Sequence, residues 1–166
     1  MAMFAYIAAS PFILQNIYHI SAQQFSIIFA INGLGIVIAA QIAGRHTHHF
    51  DEMTLLLTGV TMAFIGSVLL MFVVFLNLAL WVIIIALFMV VSSVGLVNTT
   101  SFSLAMNRQG KIAGSASAFL SILPFAGGAL VSPLVGIAGE NSAIPMGLVI
   151  FVCCILALVT LGWTKS

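Results

Sequence analysis

Polar side chains are so sparse in this chain that they divide it into long apolar blocks. Charges fall in four places: Arg45 to Glu52, Arg108 to Lys111, Glu140 and Lys165. The blocks between them are 1–44, 53–107, 112–139 and 141–164. A helix that crosses a bilayer needs roughly 20 apolar residues for a hydrocarbon core about 30 Å thick. The last two blocks suit one crossing each, and the first two are long enough that they must fold back. Block 1–44 breaks at Gln15 to Gln24, QNIYHISAQQ, where Tyr18 and His19 suit a membrane interface and Ser21 is placed to cap a helix starting at about Ala22. Block 53–107 breaks at Leu76-Asn77-Leu78, with Trp81 just inside as an interfacial anchor. The pattern predicts an all-α membrane protein, one bundle over 1–166 with six transmembrane helices at about 1–17, 22–44, 53–75, 79–105, 113–137 and 144–163. The first is short and interrupted by Ser10 and Pro11, and reads as a helix whose beginning is missing.

The residues that remain polar, small or basic add direction and packing. Within Ala113 to Gly136, Gly128, Ser132 and Gly136 recur four apart, a stripe that lets a neighbouring backbone approach closely. Gly59, Ala63 and Ser67 form a similar row. With six crossings, Arg45, Arg108, Lys111 and Lys165 all fall on one side, which the distribution of Lys and Arg identifies as the cytoplasm. Spans two, four and five carry most of the amides, serines and paired glycines, so spans one, two, four and five are expected to line the inside, with three and six peripheral.

Composition closes off most other readings. The chain is 63% hydrophobic and 4% charged, with a mean hydropathy of +1.30, whereas soluble domains carry about 25% charged residues. No water-soluble surface can be built from four basic and three acidic side chains. A net charge of +1 without a basic patch offers no grip on nucleic acid. Cys153 and Cys154 are adjacent in an apolar run and read as packing residues. No cleavable signal peptide is expected, because the first positive charge is Arg45.

Several stretches together resemble the C-terminal half of a major facilitator superfamily transporter, and more narrowly the bicyclomycin-resistance (Bcr/CflA) group of drug:proton antiporters. They are Tyr6-Ile7-Ala8-Ala9-Ser10-Pro11-Phe12, Gln24-Phe25-Ser26 leading to Phe29-Ala30-Ile31-Asn32-Gly33-Leu34-Gly35, Gln41 through Gly44-Arg45, and Ala113 to Ala118 running on through Gly128-Ala129-Leu130 to Pro133-Leu134-Val135-Gly136. The resemblance implies two six-span bundles with a substrate site at their interface near the bilayer midplane, these six spans being the second bundle. It further implies multidrug efflux by proton antiport, a bacterial inner-membrane location with a cytoplasmic C-terminus, and a missing N-terminal six-span half as partner. A small hydrophobic drug-like substrate and protons would be carried, with no cofactor and no enzymatic activity. The chain departs from the pattern in its short first span, in Pro124 where the family suggests Gln, and in Asn98 without a preceding proline.

The candidate functional residues are few. Tyr6, Gln15, Asn32, Gln41 and Asn98 are expected to face a substrate cavity, either bonding a ligand or bonding other helices; Tyr6 and Phe12 could stack on a substrate. Gly33, Gly35, Pro124, Gly127, Gly128, Ser132, Pro133 and Gly136 are expected to serve packing or bending, and Arg45, Arg108 and Lys111 to anchor the cytoplasmic face. No acid lies inside a span, so no proton carrier can be named. The RHTHHFDE segment, with His46, His48, His49, Asp51 and Glu52, has metal-ligand residue types but reads as an ordinary loop, and no metal site is expected. Asn98-Thr99-Thr100 matches a glycosylation acceptor buried in a span. Two rival readings are an inert truncated or split remnant and an intramembrane hydrolase. The latter is disfavoured, because Gly114-Ser115 lies near the surface and no His falls inside a span.

Overall fold

The computed structural model describes residues 2–46, 51–76, 79–107, 113–137 and 144–165. Its helices are α1 (Ala2–Phe12), continued by a π-helical turn (Ile13–Ile17), then α2 (Ala22–His46), α3 (Glu52–Phe75), α4 (Leu80–Asn107), α5 (Ala113–Ile137) and α6 (Ile144–Lys165). The all-helical, six-helix expectation is met. By length and hydropathy α2, α3, α4 and α6 suffice to cross a membrane; the apolar stretches Met3–Ile17 and Gly114–Leu130 are shorter.

Local chemistry sets the helix ends. Ser21 and Gln24 form a reciprocal capping box at the start of α2: the Gln24 N–H donates to Ser21 Oγ at 3.2 Å and the Ser21 N–H donates to Gln24 Oε1 at 3.0 Å. The Asp51 carbonyl accepts from the N–H groups of Thr54 and Leu55 as α3 begins. In α1, Pro11 has no N–H to give its own turn. The helix then widens, with Tyr18 N–H donating to the Ile13 carbonyl at 3.3 Å and Ile20 N–H to that of Leu14 at 3.2 Å. His19, at φ 52°, turns the chain toward α2.

Packing registers give the helix directions. Gly59 of α3 lies against Val97 of α4 and Gly66 against Val90, so these two run antiparallel. Gly35 of α2 faces Phe88 and Ser92 while Gly95 of α4 faces Ile36 and Ala40, so α2 and α4 run parallel. Phe64 stacks on Phe151 at 5.9 Å and Gly147 lies against Met71, which sets α6 antiparallel to α3. Hence α2, α4 and α6 finish at the same end of the bundle. That end carries Arg45 and the last residue of α6, Lys165; there Ser103 Oγ donates to Glu52 Oε1 at 2.5 Å, joining α4 to α3. Arg108 and Lys111 lie outside the described residues, Arg108 following directly on α4.

The continuous core is built by Ala5, Tyr6, Ala9, Ile13 and Leu14 from the first helix, Leu70 and Val73 from α3, Ile83, Leu87 and Val90 from α4, and Met146 and Ile150 from α6. Here the expectation that spans three and six are peripheral is corrected: each gives one face to the core, while α2 packs chiefly on α4 and α5 chiefly on α1. Polarity misled because an apolar helix is equally at home against lipid or against protein. Large apolar side chains stand exposed along the described helices, among them Leu34, Ile65, Phe72, Phe125, Leu130 and Val152. Soluble monomers rarely expose such continuous apolar surface. Trp81, at the start of α4, and Trp163, near the end of α6, stand 73% and 86% exposed at opposite ends, where interfacial aromatics belong.

Candidate substrate cavity

The polar residues expected to share one cavity are divided among four places. Tyr6 and Asn32 meet in the seam between α1 and α2, where Asn32 Nδ2 donates to the Tyr6 hydroxyl at 2.9 Å. Both are buried, and the Tyr6 ring stacks on Phe29 at 5.8 Å with an interplanar angle of 10°. An amide inside lipid is costly unless it finds a partner, and this one finds it on the neighbouring helix.

Asn98 lies elsewhere. Its face of α4 borders a partly open cavity of about 590 Å³ lined by residues of α1, α3, α4, α5 and α6. Met3 and Phe4, from the first turn of α1, line one side, with Val60, Ala63, Val90, Ser93, Val97, Pro124, Cys153, Cys154, Ala157 and Thr160 around the rest. The volume falls in the range of drug-sized ligand sites, roughly 300–1,000 Å³, and the mixture of an apolar wall with a few polar groups is what such sites need. Ser93 is not free to serve a ligand with its proton, since its hydroxyl donates to the Val90 carbonyl at 2.6 Å. Thr160 likewise donates to the Leu156 carbonyl at 2.9 Å. Asn98 is exposed and is the amide this cavity offers among the described residues.

Gln41 is exposed on α2 and borders a shallower groove of about 420 Å³ with Ile36, Val37, Ala40, Gly44 and Arg45. Gln15 is half-buried in the π-helical turn, and Phe12 is 44% exposed. Among the expected packing residues, Gly35 touches α4, and Gly128 receives the ring of Phe4, which also meets Phe125 edge-on at 5.5 Å. Gly127 is buried, while Gly33 has open space where a side chain would stand. Pro124 and Pro133 both lie inside α5. The surroundings of Ser132 and Gly136 fall outside the described residues, as do His48 and His49. His46 Nδ1 lies 3.0 Å from the Ile42 carbonyl. The sequence reading did not place Met3, Phe4, Cys153, Cys154, Ala157 or Thr160 at a cavity. A signal was present: Cys153, Ala157 and Thr160 follow a helical spacing of four and three along α6.

A family model described as Major Facilitator Superfamily matches residues 1–132. The chain is 42% identical over 164 residues to the "Uncharacterized MFS-type transporter YdgK" of Bacillus subtilis (strain 168), covering 98% of this chain and 40% of that protein. It is 22% identical over 164 residues to the "Bicyclomycin resistance protein homolog" of Haemophilus influenzae (strain ATCC 51907 / DSM 11121 / KW20 / Rd), covering 99% of this chain and 41% of that protein. No solved structure matches it. The chain thus spans about two fifths of the length of the curated relatives it matches. With the family match over most of its length and six packed apolar helices, the chain is a multi-pass membrane protein that belongs to the Major Facilitator Superfamily, corresponding to about half of a transporter of that kind.

Proposed function

We propose that this bundle is the C-terminal half of a drug efflux antiporter, working against an N-terminal six-helix half and exporting small hydrophobic compounds in exchange for protons across a bacterial inner membrane. The mechanism is the rocking of two bundles about a central site. The reading rests most on the similarity to the protein named as a bicyclomycin resistance homolog, along nearly the whole of this chain. The exposed apolar face of α2, with Ile27, Ile31, Leu34 and Ile38, offers the second bundle a surface to move against. Gln41 and Gly44 are expected to border that contact, and Asn98 to offer the ligand a hydrogen bond. No acid lies within a described helix away from its ends, so the proton-carrying group is expected on the other half.

The test is co-production of this chain with the remaining portion of the Bacillus subtilis relative in a bacterium lacking its own efflux pumps. Lower accumulation of bicyclomycin or ethidium with both portions than with either alone, abolished by a protonophore, is the expected result. Equal accumulation in all strains, with both portions present in the membrane, overturns the reading in favour of an inert remnant.

A further inference from the structure

Among the described residues that line the cavity beside Asn98, Phe4 is the one aromatic ring. That ring also touches α5 in two places. It meets Phe125 edge-on at 5.5 Å with an interplanar angle of 65°, and it lies on Gly128, one turn further along the same helix. Gly128 is buried. A Cβ there would come 2.5 and 2.9 Å from Cδ2 and Cδ1 of Phe4, and closer still to Cγ. All three of these nearest atoms belong to one ring. The glycines that seat helix on helix differ in this respect: added Cβ atoms at Gly59, Gly66 and Gly95 would each meet backbone of the neighbouring helix. Gly128 therefore makes room for a side chain that is itself a wall of the cavity.

The walls are unequal in how far they can move. Val90 and Val97, on the α4 side, are held by the close approach of α3 at Gly66 and Gly59. Phe4 is held by contacts of its ring alone, and the cavity is open space beside it. Non-bonded carbons settle about 3.5–4.0 Å apart, so a methyl at position 128 forces the ring back by about 1 Å or more. Staggered side-chain wells restrict a sideways swing on a helix, and Phe125 flanks the ring on the α5 side. The retreat is therefore into the cavity. We propose that Phe4 is the sizing wall of this cavity, and that Gly128, acting through it as a positioning residue, sets the largest compound the cavity admits. The bearing on transport rests on the reading of this cavity as a substrate site of the antiporter.

The protein carries its own reporters, because its two cysteines, Cys153 and Cys154, line the same cavity. The full chain in lipid nanodiscs is treated with N-methylmaleimide or with N-(1-pyrenyl)maleimide, and labelling rates are read by mass spectrometry. Both reagents are uncharged and share one reactive ring, so the ratio of their rates reports size. Gly128→Ala is expected to slow the pyrenyl reagent roughly tenfold and the methyl reagent by less than about twofold, the scale on which a packed pocket discriminates by a methylene. Phe4→Ala is expected to raise the pyrenyl-to-methyl ratio, and in the double variant the effect of Gly128→Ala should vanish. A general packing defect would slow both reagents alike and persist in the double variant; either result, or an unchanged ratio, overturns the proposal. Should Gly128→Ala fail to fold, Phe4→Ala alone decides, and an unchanged ratio refutes the sizing role. Labelling needs neither a second half nor a proton gradient. The sizing role can therefore fail while efflux stands, and a failure of efflux leaves the labelling result intact.

Discussion

Asn32 and Tyr6 each gain their place from the other. A hydrogen bond between helices in a membrane contributes about 0.6 kcal/mol on average, so Tyr6→Phe and Asn32→Leu are each expected to cost stability through more than the shared bond: the first leaves an amide donor unpaired and the second removes the amide altogether. A double-mutant cycle read by thermal unfolding should return a coupling of about 0.6 kcal/mol; strict additivity would mean that the 2.9 Å contact carries no net stabilisation. That Asn32 turns inward was legible, because an amide avoids lipid. Its partner was not, since Tyr6 stands 26 residues earlier and nothing in the spacing states which azimuth of α1 meets α2. The same limit applies to Asn98, whose polarity announced an inward position but whose cavity depends on residues from four other helices.

Glycines decide how closely the helices approach, and they are not equivalent. A Cβ at Gly95 would run into the backbone of α2 at Ile36 and come within 3.1 Å of the Ala40 nitrogen, and backbone cannot step aside as a flexible side chain can. Gly95→Ala is therefore expected to destabilise by about 1–3 kcal/mol. Gly33→Ala, where nothing lies within 4 Å, should be neutral or stabilising by up to about 1 kcal/mol through helix propensity alone. Unfolding midpoints of the two variants, measured side by side, check the contrast. Helix limits could be read well in advance, 22–44 against Ala22–His46 and 53–75 against Glu52–Phe75, because charges and the Ser21 cap sit at the membrane surface. The π-helical turn after Pro11 could not, since proline shows that a bond is lost but not which carbonyl re-pairs with which N–H. Nor could Gly33 and Gly35 be told apart, two residues from one another yet on different faces of the same helix.

At the scale of the whole molecule, parallel α2 and α4, with α6 antiparallel to α3, bring the ends that carry Arg45 and Lys165 together. By the bias of Lys and Arg that end is expected in the cytoplasm. A fluorescent protein fused after Ser166 should then fold and fluoresce, and alkaline phosphatase fused there should be inactive, with the opposite outcome for fusions between Tyr18 and Ser21. The number of helices was legible from the sparse charges. Which helix touches which was not, because lipid and protein reward the same apolar side chains and so leave α3 and α6 indistinguishable from helices at the rim.

Close backbone approach has a mechanical corollary. Gly95 seats α4 on α2, while Gly59 and Gly66 seat α3 on α4 with Val97 and Val90 nitrogens 3.4 and 3.1 Å from the missing Cβ atoms. Teeth meshed that tightly cannot slip past one another without first separating, so α2, α3 and α4 form a keel that travels as one piece. Whatever compliance the bundle has is left more to α1 and α5, where a helix holding Pro11 and one holding Pro124 and Pro133 touch through the ring of Phe4 lodged on Gly128.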